Sequence, residues 1–225
     1  MKKNISIAID GPAAAGKSTV AKEVAKRLGF IYIDTGAMYR AFTWAVLEAG
    51  LNPKNEEESC SLVGKVNIEL EPNGMVICNG TDVTKEIREF RISSNVSYIA
   101  SYKKIRLELV EQQRKIAKTG NCLMDGRDIG TYVLPNADVK IFQVASLDER
   151  TDRRYKENLE KGIECTREEV YSDLKKRDYI DSNRAFAPLK PAEDSIVLDT
   201  TSMFFEDVVE TITDIIKSKM SLWVN

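Results

Sequence analysis

The sequence predicts an α/β fold, in which one parallel β-sheet is covered by helices and carries two inserted segments. Three observations lead to this prediction. The chain opens with strand and helix patterns in alternation, and short apolar segments of the same strand-like character recur in its second half. A length of 225 residues also suits one core with appendages better than two independent domains.

The first two strand and helix pairs show the pattern most clearly. "ISIAI", Ile5 to Ile9, is a β-branched run without a helical period, which predicts a buried parallel strand. The apolar positions of "KSTVAKEVAKRLG" form one helical face, and Gly29 is the expected left-handed stop. "FIYID" then predicts a strand that ends at Asp34, and "AMYRAFTWAVLEAG" predicts a helix that Gly50 closes.

The segment from about Lys54 to Tyr102 has a different character, and we interpret it as an insertion. "VNIEL" and "MVICNG" alternate around an Asn73-Gly74 turn, which predicts an antiparallel hairpin. An amphipathic helix, "KKIRLELVEQQRKIAKTG", leads to the strands "CLM" and "DVKIFQVA". A very charged segment follows, and the chain closes with the strand "SIVLDT" and the helix "FFEDVVETITDIIKSKM". The sequence therefore predicts five core strands.

The composition excludes several kinds of site. Lys and Arg number 33 against 35 Asp and Glu, and a net charge of −2 offers no global field for a nucleic acid. Histidine is absent, which excludes imidazole catalysis and histidine-bearing metal sites. The four cysteines form no CxxC pair, and we find neither a signal peptide nor a membrane span. We expect a soluble, cytoplasmic protein with neither a nucleic-acid nor a membrane partner.

The segment "GPAAAGKS" matches G-x-x-x-x-G-K-[ST] between a predicted strand and a predicted helix. In such a loop the backbone N–H groups surround phosphate oxygens, Lys17 reaches the transferring phosphate, and the Ser18 hydroxyl can bind Mg²⁺. The alternative is a chance glycine-rich turn, against which the strand, loop and helix context argues. The residues expected to hold nucleotide phosphates are Gly11, Pro12, Ala13, Ala14, Ala15, Gly16, Lys17, Ser18 and Thr19.

The rest of the chain favours a small-molecule kinase over the other classes that use this loop. A GTPase would show an NKxD-type segment that reads guanine, and none is present. A motor ATPase would show four apolar residues followed by Asp-Glu, whereas "LMDGRD" occupies that strand here. The phosphate acceptor must then be bound elsewhere in the chain.

Two motifs at predicted strand ends could bind that acceptor. Arg40, in "DTGAMYR", could reach an anion in the cleft, and Thr35 could cap the helix that begins there; a solvated arginine is the alternative. In "DGRD" two carboxylates, Asp125 and Asp128, flank Arg127. Asp and Arg side chains together offer acceptors and donors to a base edge such as that of cytosine.

The charged segment supplies the other candidates. Arg177, Asp181 and Arg184 are spaced to share one helical face, if the helix continues that far, and a surface ladder of ion pairs is the alternative. Three earlier arginines would cap the donor phosphates if the segment folds over as a lid, or would otherwise be solvated: Arg150, Arg153 and Arg154. Phosphoryl transfer needs positioning and charge neutralisation more than a strong base, which suits a site of arginines.

Five motifs in this order closely resemble the bacterial cytidylate kinase family over nearly the whole chain: "DGPAAAGKST", "DTGAMYR", "DGRDIGT", "VKIF" and "RDYIDSNRAFAPL". The resemblance implies a P-loop kinase with a five-stranded parallel sheet in the order 2-3-1-4-5, an insert that binds the nucleoside monophosphate through a small antiparallel sheet, and a short lid. It implies a single domain with its core at 1–34, 103–147 and 185–225, the insert at about 35–102, and the lid with its following helix at about 148–184.

The resemblance also implies an activity and a site. ATP with Mg²⁺ would phosphorylate CMP and dCMP, and we expect a monomer. The residues implied around CMP are Thr35, Arg40, Ser97, Arg106, Arg127, Asp128, Arg177, Asp181 and Arg184. Of these, Arg40, Arg106, Arg127 and Arg177 would face the phosphate, Ser97 and Asp128 the base, and Asp181 and Arg184 the sugar. The implied catalytic residues are Lys17, Arg127, Asp128 and Arg153, and Ser18 is the implied metal ligand.

Two other hypotheses stay open on the sequence. A related P-loop kinase could act on UMP, AMP or a metabolite such as shikimate. A nucleotide-switched binding protein could also use this loop, although such a protein does not need arginines from three separate segments. RNA binding is disfavoured, because the charge is near neutral and no aromatic stacking motif for RNA is present.

Overall fold

The computed structural model describes residues 4–71, 74–160 and 162–221. Its strands are β1 (Ser6–Asp10), β2 (Ile31–Asp34), β3 (Ile68–Leu70), β4 (Val76–Cys78), β5 (Thr81–Asp82), β6 (Cys122–Gly126), β7 (Val139–Val144) and β8 (Ile196–Asp199). Its helices are α1 (Lys17–Leu28), α2 (Thr35–Glu48), α3 (Glu56–Cys60), α4 (Phe90–Ser93), α5 (Val96–Ile99), α6 (Lys103–Ala117), α7 (Leu147–Glu160), α8 (Arg167–Asn183) and α9 (Phe205–Ser221). A 3₁₀ turn lies at Glu86–Arg88 and a π-helical turn at Ile129–Val133. None of the helices in the described ranges is long and apolar enough to cross a membrane.

Five parallel strands form the main sheet in the order β2-β6-β1-β7-β8. This notation differs from the predicted 2-3-1-4-5 because the insert contributes three strands between β2 and β6; counted among the parallel strands alone, the order is the predicted one. The register places Asp10 opposite Gly126 and Asp34 opposite Asp125. The carboxyl ends of β1, β2 and β6 therefore meet at one edge, where open α/β sheets bind their ligands.

The predicted hairpin is part of a second, antiparallel sheet in the order β3-β4-β5. Ile68 pairs with Cys78 and Leu70 with Val76, as the alternating pattern predicts. The short β5 had no signal in the sequence, because its two exposed residues have no apolar alternation. Asn73, in the predicted turn, lies outside the described residues.

The apolar residues form two main clusters. One lies between the sheet, α1 and α9 and includes Ile7, Val24 and Ile212. The other joins α2 to the insert, where Phe42 and Ile87 are fully buried. The insert is thus anchored to the core through α2 by apolar burial.

Two local expectations about helix ends need correction. Thr35 does not cap α2: the cap is Asp34, whose carboxylate accepts from the Ala37 N–H at 2.7 Å. Thr35 is the first helical residue, and its hydroxyl donates to the Asp125 carbonyl instead. The helix α8 ends at Asn183, so Arg184 is the residue after it and has an extended backbone.

A buried carboxylate joins β1 to the π-helical turn. Asp10 accepts from the backbone N–H groups of Ile129 and Gly130, both at 2.7 Å. Burial raises the pKa of Asp10 to about 7, against the opposing effect of these two hydrogen bonds. The contact holds the chain after β6 close to the start of the phosphate-binding loop.

Gly11 is the position where this loop passes closest to the sheet. Its φ of +150° is unfavourable for other residues, and a Cβ there would lie 1.9 Å from the Gln143 carbonyl oxygen of β7. Gly11→Ala should therefore lower the free energy of unfolding by roughly 3 kcal/mol or more, measured by urea unfolding.

Gly64→Ala is the matched control, because Gly64 also has a positive φ, +78°, but nothing lies within 4 Å of its added Cβ. It should cost about 1 kcal/mol. An equal decrease in the free energy of unfolding in the two variants would show that the close approach of Gly11 to Gln143 does not contribute to stability.

Candidate active site

One cavity of about 610 Å³ lies over the carboxyl edge of the sheet. Its lining comes from the phosphate-binding loop, from α2 and the insert, from the residues after β6, and from α7 and α8. All nine residues implied around CMP by the resemblance line this cavity. The structure thus brings together side chains that are up to about 150 positions apart in the sequence, while their individual roles stay predictions.

The second half of the phosphate-binding loop forms one wall. Ala14 to Thr19 line the cavity, and Gly16 has the left-handed conformation that starts α1. The buried Lys17 ammonium donates to the Pro12 carbonyl at 2.6 Å. The Ser18 hydroxyl donates to the Asp125 carboxylate at 2.8 Å. The loop N–H groups, the Lys17 ammonium and the oxygens of Ser18 and Asp125 therefore lie close together. Binding of a polyphosphate with a divalent cation requires such a combination of groups.

The first half of the loop has another environment. Gly11, Pro12 and Ala13 do not line the cavity. Ala13 is buried against Val170 and Leu174 of α8. In this structure Gly11 lies against the Gln143 carbonyl of β7 and Ala13 against α8, while a contact of these three residues with phosphate stays a prediction. The sequence motif specifies the backbone conformation of the loop. It does not specify which distant elements each loop residue packs against.

Lys17 has a strongly perturbed acidity. Burial and the positive charge of Arg127 together lower its pKa to about 7, against the attraction of Asp125 and Asp10. Burial also raises the pKa of Asp125, whose carboxylate accepts a second hydrogen bond from the Tyr32 hydroxyl at 2.8 Å. A bound polyphosphate would add negative charge beside Lys17 and so raise its pKa.

A carboxylate at the end of β2 holds two arginines at the cavity wall. The Asp34 side chain accepts from Arg40 at 3.3 Å and from Arg88 at 3.0 Å. Burial alone would raise the pKa of Asp34, but the two guanidinium groups outweigh it and lower the pKa below its usual value. Arg40 was predicted here. Arg88, from the 3₁₀ turn, was missed, because an arginine in "KEIREF" carries no motif.

Asp128 is the centre of a second group. It accepts from Arg106 of α6 and, at 3.0 Å, from Arg184, and all three side chains are buried. The Ala100 carbonyl also accepts from Arg106 at 2.9 Å. The Arg106 guanidinium lies 5.2 Å from the centre of the Tyr39 ring. The hydroxyl of Tyr39 is buried without a partner in the structure, which leaves a donor and acceptor at the cavity wall.

Two further arginines of the cavity lie just after β6 and on α8. The Nε of Arg127 donates to the buried Asp181 carboxylate at 3.0 Å. Arg177 is 3.8 Å from Asp173, and its own Nε is buried without a partner. Burial lowers the pKa of Arg177, with the nearby charge of Arg127 adding to that effect. Arg177 thus has hydrogen-bonding capacity that a bound anion could satisfy.

The three arginines of α7 have different surroundings. Arg153 and Arg154 line the cavity, and Arg153 donates to Glu149 and to the Thr200 carbonyl. Arg150 does not line the cavity, contrary to the expectation of a phosphate-capping lid arginine. Its guanidinium is buried against Ala13 and Asp178. An i, i+4 spacing on one helix cannot by itself show which arginine faces the ligand.

Sequence reasoning also missed the far end of the cavity. Thr200, Met203 and Phe204, between β8 and α9, and Phe205, the first residue of α9, line it beside Gly16 and Arg153. Phe204 is 81% exposed, a large apolar surface for a single residue. The available signal was the aromatic pair Phe204-Phe205 a few residues after the last strand, at the same sheet edge as the phosphate-binding loop.

Comparison with known proteins gives a consistent result. The family model for cytidylate kinase matches residues 7–218. A cytidylate kinase from Halalkalibacterium halodurans is 48% identical over 221 residues, covering 97% of this chain and 100% of the relative. One from Bacillus cereus strain B4264 is 51% identical over 219 residues, covering 96% of this chain and 97% of the relative.

Solved structures show the same fold at low sequence identity. A gluconokinase from Sinorhizobium meliloti aligns with a TM-score of 0.51 and 10% identity, covering 100% of this chain and 98% of the other. An uncharacterised protein from Eubacterium ventriosum aligns with a TM-score of 0.51 and 18% identity, covering 97% and 99% of the two chains. At these identities the likeness concerns the fold alone.

The acidity of Lys17 leads to a testable result. With a pKa near 7, Lys17 is mostly neutral at pH 8, and a bound polyphosphate should raise its pKa and protonate it. Binding of inorganic tripolyphosphate at pH 8 should therefore take up nearly one proton per chain. Calorimetry in two buffers of different ionisation enthalpy measures this uptake.

At pH 5.5 Lys17 is already protonated, so it should contribute no proton uptake when tripolyphosphate binds. Lys17→Arg keeps a permanent positive charge and should abolish the uptake at pH 8. The same uptake in this variant would rule out Lys17 as the proton acceptor.

Proposed function

This chain belongs to the cytidylate kinase family, and we propose on that premise that it transfers the γ-phosphoryl group of ATP to CMP, giving ADP and CDP. We propose dCMP as a second acceptor. The observation that carries the proposal is one cavity in which a phosphate-binding loop faces arginines from α2, from α6, from the residues after β6 and from α8. A donor phosphate and an acceptor phosphate both need such charge, and one cavity would bring them within reach of each other.

The donor would occupy the end of the cavity formed by the loop. Ala14 to Thr19 would surround the ATP phosphates, and Lys17 would contact the transferring group. The exposed ring of Phe204 and the aliphatic part of Arg153 would flank the adenine, because they line the cavity beyond the loop. Arg153 and Arg154 would offset charge on the phosphates from the α7 side.

Ser18 and Asp125 fit a Mg²⁺ ion. Their oxygens lie 2.8 Å apart beside the loop, and Mg²⁺ characteristically takes one or two protein oxygens together with phosphate and water. Bound there with ATP, the ion would neutralise charge on the phosphates. Asp125 was predicted as part of the acceptor motif, but its side chain turns toward Ser18 and so belongs to the donor half of this proposal.

The acceptor would occupy the other end. Arg40, Arg127 and Arg177 would bind the CMP phosphate, and Arg177 has a buried Nε without a partner for this purpose. Ser97 and the group around Asp128 would contact the base, while Asp181 and Arg184 would lie on the sugar side. Arg106 donates to Asp128 in the structure, so we propose that it orients this carboxylate toward the base.

The reaction would need no general base. The attacking CMP oxygen is already anionic, so attack on the γ-phosphorus requires alignment and charge neutralisation rather than proton removal. Lys17, Arg127 and Arg153 would stabilise charge on the transferring group. We further propose a single domain, with the insert at about 35–102 and the lid at about 148–184 closing over the substrates, in a cytoplasmic monomer without a nucleic-acid or membrane partner.

The identity of the acceptor can be tested directly. An ADP-release assay with Mg·ATP and a panel of CMP, dCMP, UMP, AMP, GMP and shikimate should give the highest kcat/KM with CMP, and dCMP should also react. A higher value with UMP, AMP or shikimate would contradict the assignment to CMP.

Arg127 separates the two halves of the proposed site. Arg127→Ala removes a contact to the acceptor phosphate and should lower kcat/KM for CMP by roughly 100-fold or more. The Kd for a non-hydrolysable ATP analogue should change little. Arg91→Ala is the control, since Arg91 is surface-exposed, pairs with Glu48 and Glu89, and lies outside the cavity. Loss of ATP and CMP binding together would indicate a folding role instead.

A further inference from the structure

The helix α8 contacts the phosphate-binding loop directly. Arg177 faces the cavity, and the next residue, Asp178, faces the loop. The Asp178 carboxylate accepts from the Ala13 N–H at 3.2 Å and from the Arg150 guanidinium at 2.6 Å. The same Arg150 group donates to the Ala13 carbonyl at 3.0 Å. Both polar groups of Ala13 are therefore bound by side chains from outside the loop; we call Ala13, Arg150 and Asp178 the loop clamp.

The loop clamp has little freedom to rearrange. Arg150 is only 6% exposed, and its Nε also donates to the Ala145 carbonyl just after β7, at 2.9 Å. Val170 and Leu174 of α8 cover Ala13 with apolar side chains. In such surroundings water cannot replace a lost hydrogen bond, so each contact of the clamp stabilises the observed loop position more than it would at the surface.

The loop conformation next to the clamp is one that needs outside support. Ala14 has a φ of +59°, in the left-handed region that residues with a Cβ rarely adopt. Such a conformation costs about 1–2 kcal/mol and persists only where its surroundings determine it. The clamp fixes the preceding peptide groups, and Ala14 is the residue at which the loop turns into the cavity.

We propose that Asp178 and Arg150 are positioning residues that couple the two substrate sites. Neither lines the cavity, so the proposal assigns neither a contact with substrate. The coupling rests on the proposed function: CMP would contact Arg177 and Asp181 of α8, and ATP would contact the loop that Asp178 of the same helix holds. A change in the position of α8 on CMP binding is transmitted to Ala13 through the clamp, and by linkage ATP has the reciprocal effect on CMP affinity.

The test measures the coupling itself. The Kd of a non-hydrolysable ATP analogue is determined with Mg²⁺ for the 225-residue chain, once without CMP and once with saturating CMP. The wild type should bind the analogue about 5-fold or more tightly when CMP is present, the lower end of typical coupling between sites. Asp178→Ala should reduce this factor to about 1, while the Kd of CMP alone changes less than about 2-fold, within the scatter expected for a residue that does not touch it.

Two further variants keep the proposal falsifiable if Asp178→Ala folds poorly. Removing Asp178 alone leaves the buried charge of Arg150 unpaired, so the double variant Arg150→Met/Asp178→Leu removes the clamp without that charge. It should lose the coupling as well. Asp178→Asn keeps an oxygen that accepts from the Ala13 N–H and should retain part of the coupling, which a purely structural role would not predict. Thermal unfolding of each variant verifies folding.

Arg167→Ala is the matched control. Arg167 joins α8 to Asp148 and Asp152 of α7 at the surface and does not contact the loop. It should leave the coupling factor unchanged. An equal loss of coupling in this control, unchanged coupling without the clamp, or no coupling in the wild type would each overturn the proposal. A wild-type chain that binds ATP but not CMP would overturn the proposed function together with it.

Discussion

The structure depends on pairing the positive charge of the cavity with carboxylates from other segments. A site for two phosphates needs several arginines close together, and these repel one another unless each is held by a counter-charge. Asp34 holds Arg40 and Arg88, Asp128 holds Arg106 and Arg184, and Asp181 holds Arg127. Each pair also joins parts of the chain that are distant in sequence or lie on different elements. The same ion pairs therefore keep the arginines charged, fix their direction and attach the insert and α8 to the sheet.

The parallel sheet places these carboxylates where they are needed. Asp10, Asp34 and Asp125 all stand at the carboxyl ends of neighbouring strands, and each performs a different task. Asp10 holds the turn after β6, Asp34 caps α2 while binding two arginines, and Asp125 accepts from Ser18. The fold thus places three carboxyl groups at neighbouring strand ends, where each one holds a different part of the chain. Only Asp10 lies outside the cavity lining, which suits a role in holding the backbone.

The sequence predicts those features that depend on local patterns. The five core strands, the phosphate-binding loop and the left-handed stop at Gly29 follow from periodicity and from residue types at fixed spacing. Features that depend on distant partners could not be predicted. Nothing near Ala13 in the sequence indicates that Arg150 and Asp178, more than 130 positions away, bind its peptide groups. For the same reason Arg150 could not be distinguished from Arg153, and the hydrogen bond from Ser18 to Asp125 could not be predicted.

The central claim is that one cavity holds donor and acceptor at opposite ends, in line for transfer. A molecule in which adenosine and cytidine are joined through five phosphates would fill both ends at once. Calorimetry should show one molecule bound per chain, with a Kd below that of either ATP or CMP, because the second half binds without a further loss of translational freedom. It should displace both nucleotides and bind more tightly than the compound with adenosine at both ends. An affinity no higher than that of ATP, with CMP still able to bind, would contradict a single two-ended site.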